Sequence, residues 1–387
     1  MKRLPLALTA AVLALAAAIM PSPSLAAATS RCGRSWRIVP SPSPAAGSNE
    51  LDAVAALARD DVWAVGWQSR EVAGRTKTLI EHWNGTAWTV TPSPNVKRDS
   101  NVLLGVAATS PTDVWAVGLH YQPAQTRQTL IEHWDGSRWT IVASPSPGTA
   151  FSILDAVTAV SVNDVWAVGS VGYVDQTGVR TLIEHWDGQQ WTAVPSPSPA
   201  GEIAELRGAT TVSATEVWAV GDYSPDGQLT LTLTERWDGT NWTVVPSENR
   251  DPIQNYLYGV DAASRGSLWA AGFAGSSALI EQGNGSSWSV IASPSRGALS
   301  SLRGVVALGP ANAWVVGFWQ DANGDEHTLT EHWNGRRWVY VDSPDSALPD
   351  NDLLAASAAG GVIWAVGHAF TPGPNPSSTL VERICPD

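Results

Sequence analysis

From Leu103 to Val142 the chain reads LLGVAATSPTDVWAVGLHYQPAQTRQTLIEHWDGSRWTIV. Four short apolar runs stand out: Leu103 to Ala108, Val114 to Gly118, Thr129 to Trp134 and Trp139 to Val142. Turn-forming residues separate them, and Asp135-Gly136, which favours positive φ at the glycine, marks a tight hairpin between the third and fourth runs. The stretch predicts four short antiparallel strands.

The same unit recurs along the chain. Val-Trp-Ala-Val-Gly stands at Val62 to Gly66, Val114 to Gly118, Val165 to Gly169 and Val217 to Gly221, with variants at Leu268 to Gly272, Ala313 to Gly317 and Ile363 to Gly367. The central tryptophans Trp63, Trp115, Trp166, Trp218, Trp269, Trp314 and Trp364 are spaced by 52, 51, 52, 51, 45 and 50 residues, so the period is that of a whole four-stranded sheet. Seven such units predict an all-β, seven-bladed propeller. Ala53, Gly105, Ala156, Gly208, Gly259, Gly304 and Ala355 each fall two positions after a leucine in the first strand. Innermost strands converge on the axis, where only a small side chain fits.

The two ends complete one blade. The fourth-strand tryptophans are Trp36, Trp88, Trp139, Trp191, Trp242, Trp288 and Trp338, so one precedes the first full unit, while the last unit stops at Ile384 after its third strand. The strand from Trp36 to Val39 is therefore expected to form the outer strand of the last blade. Aligned on complete units, Cys32 and Cys385 both fall where the missing hairpin turn would be. A Cys32–Cys385 disulfide follows, since no further ligand lies near either cysteine in sequence to favour a metal site over it, and it implies an oxidising compartment.

Lys2 and Arg3 precede an apolar run from Leu4 to Met20 and small residues ending at Ala28, which reads as a secretory signal over residues 1–26, cleaved after Ala26 or Ala28. Residues 31–387 then form a single domain, exported and extracellular, with no apolar stretch long enough to span a bilayer. A net charge of −13 with only three lysines gives no electrostatic footprint for nucleic acid. No cofactor, no metal and a monomeric state are expected.

Positions repeated in every unit are most economically assigned to the fold. This covers nineteen of the 21 tryptophans and Glu81, Glu132, Glu184, Glu235, Glu281, Glu331 and Glu382, each expected to cap or bridge backbone groups of its own blade. It also covers His82, His133, His185 and His332, and makes the Ser-Pro-Ser-Pro segments stiff connectors. What remains lies just after the second strands, at the start of the variable loops to the third: Trp67, Tyr121, Tyr173, Tyr223, Trp319 and Phe370, with His120, His327 and His368. These loops share one face with the inter-blade connectors. Aromatics on that rim can stack on sugars or grip a peptide; alternatively Trp67, Tyr121, Phe273, Phe318 and Phe370, which keep the parity of the preceding tryptophan, extend the packing between blades. The segment Asp321 to His327 has alternating oxygen groups but neither the glycine position nor the terminal glutamate of a calcium loop, and reads as a polar turn.

The repeats resemble secreted bacterial propellers of the kelch/galactose-oxidase-like and Asp-box (sialidase-type) groups. Trp-Asp-Gly-x-x-Trp is similar to a degenerate Asp-box, and the blade length is similar to a kelch repeat with one glycine in place of two. The resemblance implies the fold. It does not carry over catalysis, because both cysteines are used at the closure and no arginine triad is assignable. The expected function is non-enzymatic binding of a glycan, polypeptide or cell-surface component through the loop-bearing face. The alternative is a carbohydrate-active hydrolase or lyase using Asp321, Asp325, His327 and His368.

Overall fold

In the computed structural model, which describes residues 32–386 apart from 73, 122–125, 175–177 and 200–202, the chain forms seven four-stranded antiparallel sheets. The expected signal segment lies outside the described residues. Blade 1 comprises Asn49–Ala58, Asp61–Ser69, Thr76–Trp83 and Trp88–Val90, and the next five blades repeat this order. In the seventh, Asp350–Ala359, Val362–Phe370 and Ser377–Ile384 are completed by the N-terminal strand Arg37–Ile38, with Arg37 opposite Arg383 and Ile38 opposite Glu382. Cys32 and Cys385 are disulfide-bonded, their Cα atoms 5.5 Å apart across 353 residues of chain.

Tryptophan pairs hold the blades to one another. At every junction the second-strand tryptophan meets the fourth-strand tryptophan of the next blade edge to face. Trp115 and Trp191 have ring centroids 5.4 Å apart at 79°, and the series runs on to Trp314–Trp36 at 6.0 Å and Trp364–Trp88 at 5.3 Å. Such a pair adds about 0.5–1.5 kcal/mol beyond the area it buries. Around each pair lies an apolar cluster drawn from two blades, as where Trp115, Val117 and Ile131 pack on Leu154, Val165, Leu182 and Trp191. The convergence of first strands is equally direct: a Cβ on Gly208 would sit 2.7 Å from Tyr258 O, and one on Gly259 2.6 Å from Arg303 O.

The serine-proline connectors are fastened by hydroxyls. Thr78, Thr129, Thr181, Thr232, Thr328 and Thr379 each place Oγ1 2.6–2.8 Å from the Oγ of Ser93, Ser144, Ser196, Ser247, Ser343 and Ser41, respectively. Blade 5 has Ala278 at this place, and there the Arg250 guanidinium donates to the Ala278 carbonyl. Among the described residues no helix is long and apolar enough to cross a membrane.

Candidate functional site

The first strands carry a defect that repeats seven times. Pairing with the second strand slips by one residue between Leu51 and Ala53, and at the equivalent place in each blade, leaving Asp52, Leu104, Asp155, Arg207, Tyr258, Arg303 and Leu354 as bulged residues. A bulge re-aims the side chain it carries. The glycine that ends Val-Trp-Ala-Val-Gly makes room for it, because a Cβ on Gly66 or Gly118 would lie 2.1 Å from the Glu50 or Val102 carbonyl oxygen.

All seven bulged residues line an axial cavity of about 160 Å³. Around the axis they divide into an Asp52-Leu104-Asp155 arc and an Arg207-Tyr258-Arg303 arc, with Leu354 between. Arg207 Nε donates to Asp222 Oδ1 at 2.6 Å and Nη2 donates to Glu205, so burial, which would lower its pKa, is overcome by the two carboxylates. Arg303 lies with its guanidinium carbon 4.2 Å from the Tyr258 ring centroid, and its Nε is buried with no hydrogen-bond partner. On the same axis, Tyr256 lies parallel to Tyr258 at 6.2 Å.

Towards the loop-bearing face the groups become ionisable and crowded. His368 Nδ1 is 3.7 Å from Glu50 Oε2, and Asp352 Oδ1 is buried without a hydrogen-bond partner. Burial pushes the Asp352 carboxyl up to about 6 although Arg303 and His368 pull the other way, with Glu326 and Glu50 adding to the rise. Burial, followed by the charge of Glu50, also drives Asp52 well above the usual carboxylate range. Asp155 is pushed to about 7 by burial against the pull of Arg207. Acidic, basic and aromatic groups therefore lie together near the axis.

The rim residues are distributed differently from the sequence expectation. The second strands run nine residues in most blades, so Trp67, Tyr121, Tyr223, Trp319, His368 and Phe370 are the final residues of strands and not the start of loops; only Tyr173 lies beyond its strand, Asp164–Gly172. The strands extend because the first strand begins earlier and pairs with them, as Ser100 does with Tyr121. Trp67 stands opposite Glu50 in the strand register, Glu50 lies 3.7 Å from His368, and Phe370 stacks on His368 at 5.0 Å; none of the three expected residues lines the axial cavity. Tyr173, Tyr223 and Trp319 pack on inter-blade clusters, and Trp319 is further held between Arg296 at 4.4 Å and the His327 ring at 4.6 Å. Tyr121 has Arg127 5.8 Å from its ring.

Other expectations are corrected by the contacts. The repeated glutamates do not cap backbone groups: Glu235 and Glu331 accept from Ser196 and Ser293 of the preceding connector, while at Glu81, Glu132, Glu184 and Glu382 neither carboxylate oxygen has a partner. They are buried on the face that packs against the preceding blade, as beside Glu235, where Ala219 and Leu233 meet Trp166 and Val168. Asp321 Oδ1 accepts from the Asn323 and Asp325 amides, and these bonds outweigh burial to lower its pKa, so its loop is closed on itself. His327 Nδ1 is 2.7 Å from Asp345 Oδ2. Among the described residues no hydrogen bond or ion pair joins His368 to Asp321, Asp325 or His327, and no group of three or more His, Cys, Asp or Glu side chains could hold a metal ion. The recurring histidines are framework: His133 Nε2 is 2.7 Å from Asp113 Oδ1 with its ring stacked on Trp115, and His82 and His185 do the same.

The channel residues Asp52, Asp155, Arg207, Tyr258, Arg303 and Asp352 were not among the sequence candidates. For all but Asp352, which precedes its leucine, the signal was the position between the leucine and the small residue of each first strand, which varies as Asp, Leu, Asp, Arg, Tyr, Arg, Leu inside an otherwise regular frame.

No protein-family model and no curated protein matches the chain. Solved structures do. The one described as "YCF48 bound to D1 peptide" aligns with a TM-score of 0.56 at 15% identity, covering 90% of this chain and 94% of that one. YCF48 from Cyanidioschyzon merolae aligns at 0.55 and 12%, covering 91% and 99%. The endosialidase of phage phi92 aligns at 0.56 and 8%, covering 92% of this chain and 69% of that one. At these identities the likeness establishes the fold: the chain is a seven-bladed β-propeller, similar in architecture to peptide-binding and sialidase-type propellers.

Proposed function

We propose that this protein is an exported, non-enzymatic propeller that binds a polypeptide segment at its channel mouth, on the face carrying the second-to-third-strand loops. The observation that carries the reading is the convergence of Asp52, Asp155, Arg207, Tyr258 and Arg303 around an axial cavity, with the Arg303 Nε and one Asp52 carboxylate oxygen buried without hydrogen-bond partners among the described residues. Tyrosine, arginine and tryptophan are the residue types that dominate interface energetics when they surround a desolvated pocket. A cavity of about 160 Å³ admits one small group and is well below the roughly 300–1,000 Å³ of pockets that enclose whole small-molecule ligands. It suits a single side chain or chain end presented by a larger partner. The peptide-bound structural neighbour supports a polypeptide over a glycan. Export is supported by the disulfide at the ring closure and by the signal-like leader.

The test is a random-peptide display library panned on the purified protein, followed by affinity measurements of enriched peptides on wild type and on Arg303→Ala and Trp67→Ala. Loss of affinity with unfolding temperature unchanged supports the reading. Failure to enrich any peptide, or release of product from a polysaccharide panel that Asp352→Asn abolishes, refutes it.

A further inference from the structure

The acidic chain gathers five cations on and beside blade 1. Both lysines outside the signal segment, Lys77 and Lys97, lie in the stretch Arg70 to Arg98 with Arg70, Arg75 and Arg98, against only Glu71 and the buried Glu81. All five cationic side chains are exposed, and none has a hydrogen-bond or ion-pair partner among the described residues. Arg70, Arg75 and Lys77, with Gln68, Ser69 and Glu71, form one wall of a groove of about 590 Å³ whose other wall is the connector Pro44-Ala45. Two hydrogen bonds extend the charge beyond the groove. Thr78 N donates to Asn95 Oδ1 at 3.1 Å and Thr76 N to Ser100 Oγ at 3.4 Å, which ties the connector bearing Lys97 and Arg98 alongside the strand bearing Lys77. Arg98 itself is held at φ 71°, the one non-glycine residue with positive φ among those described.

Like charges gathered without counter-ions repel one another, and an acidic protein gains nothing for its fold by collecting its few cations. Some other exposed cations are paired, as Arg265 with Glu216 and Arg138 with Asp135, and others, such as Arg336 and Arg337, are not paired among the described residues, but the blade 1 cations Arg70, Arg75 and Lys77 differ in lining a groove. We infer that the blade 1 groove is a docking site for an acidic polypeptide segment. The groove is concave and contains Glu71, which suits a peptide that alternates carboxylates with amide donors better than a uniformly polyanionic glycan or a flat anionic membrane. The inference rests on the binding reading above only in taking the partner to be a polypeptide.

The experiment uses a fluorescein-labelled peptide of alternating Glu and Gly, about ten residues long to cover a groove of this size. It is titrated onto wild type, Arg75→Glu/Lys77→Glu and, as a control with the same charge change on the opposite face, Arg336→Glu/Arg337→Glu. The expected result is saturable binding weakened about tenfold or more by the groove variant, and by raising salt from about 50 to 200 mM, with the control much less affected. Equal loss in both variants reduces the effect to net charge and overturns the inference. So does absence of saturation, or preferential binding of a sulfated glycan or of phosphatidylglycerol vesicles. If peptides enriched from the library lose affinity on Arg303→Ala but not on the groove variant, this inference fails while the channel reading stands; the reverse pattern removes the channel reading alone.

Discussion

Ser196 Oγ donates to Glu235 Oε2 at 2.9 Å across a blade junction, whereas the equivalent carboxylates of Glu81, Glu132 and Glu184 meet no donor among the described residues. The consequence is a pH-dependent fold. Burial pushes Glu81, Glu132 and Glu184 up to about 8 from an ordinary value of 4.5. Between these values the unfolded chain releases protons that the folded one retains, so stability is full below the lower value and declines as pH rises through the window. The unfolding temperature is expected to fall between pH 5 and pH 8, and Glu132→Gln/Glu184→Gln is expected to flatten that slope. The hairpin carboxylates act elsewhere: hydrogen bonds from the Ser137 hydroxyl and the Arg138 and Ser137 amides hold Asp135 at about 2, so its contribution is lost only in strong acid. Thermal scans across pH check both.

The Cys32–Cys385 bond closes nearly the whole chain into one loop. Loop-closure entropy sets an upper figure of roughly 5 to 6 kcal/mol for its stabilisation. Cys32→Ser, Cys385→Ser and the double variant are expected to lose similar amounts of stability in denaturant unfolding. A double variant as stable as wild type would show that the strand pairing of Arg37–Ile38 and the Trp36–Trp314 contact suffice for closure.

Two rim tryptophans are expected to separate. Trp319 packs on an inter-blade cluster between Arg296 and His327, so Trp319→Ala is expected to cost about 2–3 kcal/mol of stability. Trp67 belongs to none of the buried clusters and stands opposite Glu50 in the strand register, so Trp67→Ala is expected to cost under about 1 kcal/mol while reducing peptide affinity. Denaturant titration and binding on the same two variants check the contrast.

His133 satisfies the geometry of a catalytic dyad, yet its bond to Asp113 repeats in His82–Asp61 and His185–Asp164, each with the ring stacked on the blade's own tryptophan. His133→Ala is expected to lose about 1 kcal/mol of stability and to leave peptide affinity unchanged, as measured by unfolding and titration.

The ring itself was legible in the sequence, because Val-Trp-Ala-Val-Gly, Trp-Asp-Gly-x-x-Trp and the leucine-x-small triplet report backbone requirements that every blade shares. The displaced half-blade at Trp36 and the matching positions of Cys32 and Cys385 reported closure for the same reason. The site was harder to read. Asp52, Arg207 and Arg303 sit on strands that by period alone should bury one face and approach the axis with the other. It is the bulge, invisible in a hydrophobic pattern, that aims them into the channel. His368 was found because it breaks the repeat in the second strand; Tyr258 and Arg303 break it in the first, at a position where variation looks like tolerance. The unpaired glutamates escaped prediction because their burial comes from the neighbouring blade rather than from their own sheet.

The central claim is that the channel mouth is where a polypeptide is held, and Arg303 tests it most directly. Its contacts with Tyr258 and Phe318 are ring contacts at 4.2 and 5.7 Å, and among the described residues it makes no hydrogen bond, so Arg303→Ala removes no hydrogen bond that those residues make. The decisive measurement is the dissociation constant of a library-enriched peptide on wild type and on Arg303→Ala, at matched folding by circular dichroism. The account predicts a loss of about tenfold or more with the unfolding temperature unchanged. An affinity identical in the two proteins would contradict it.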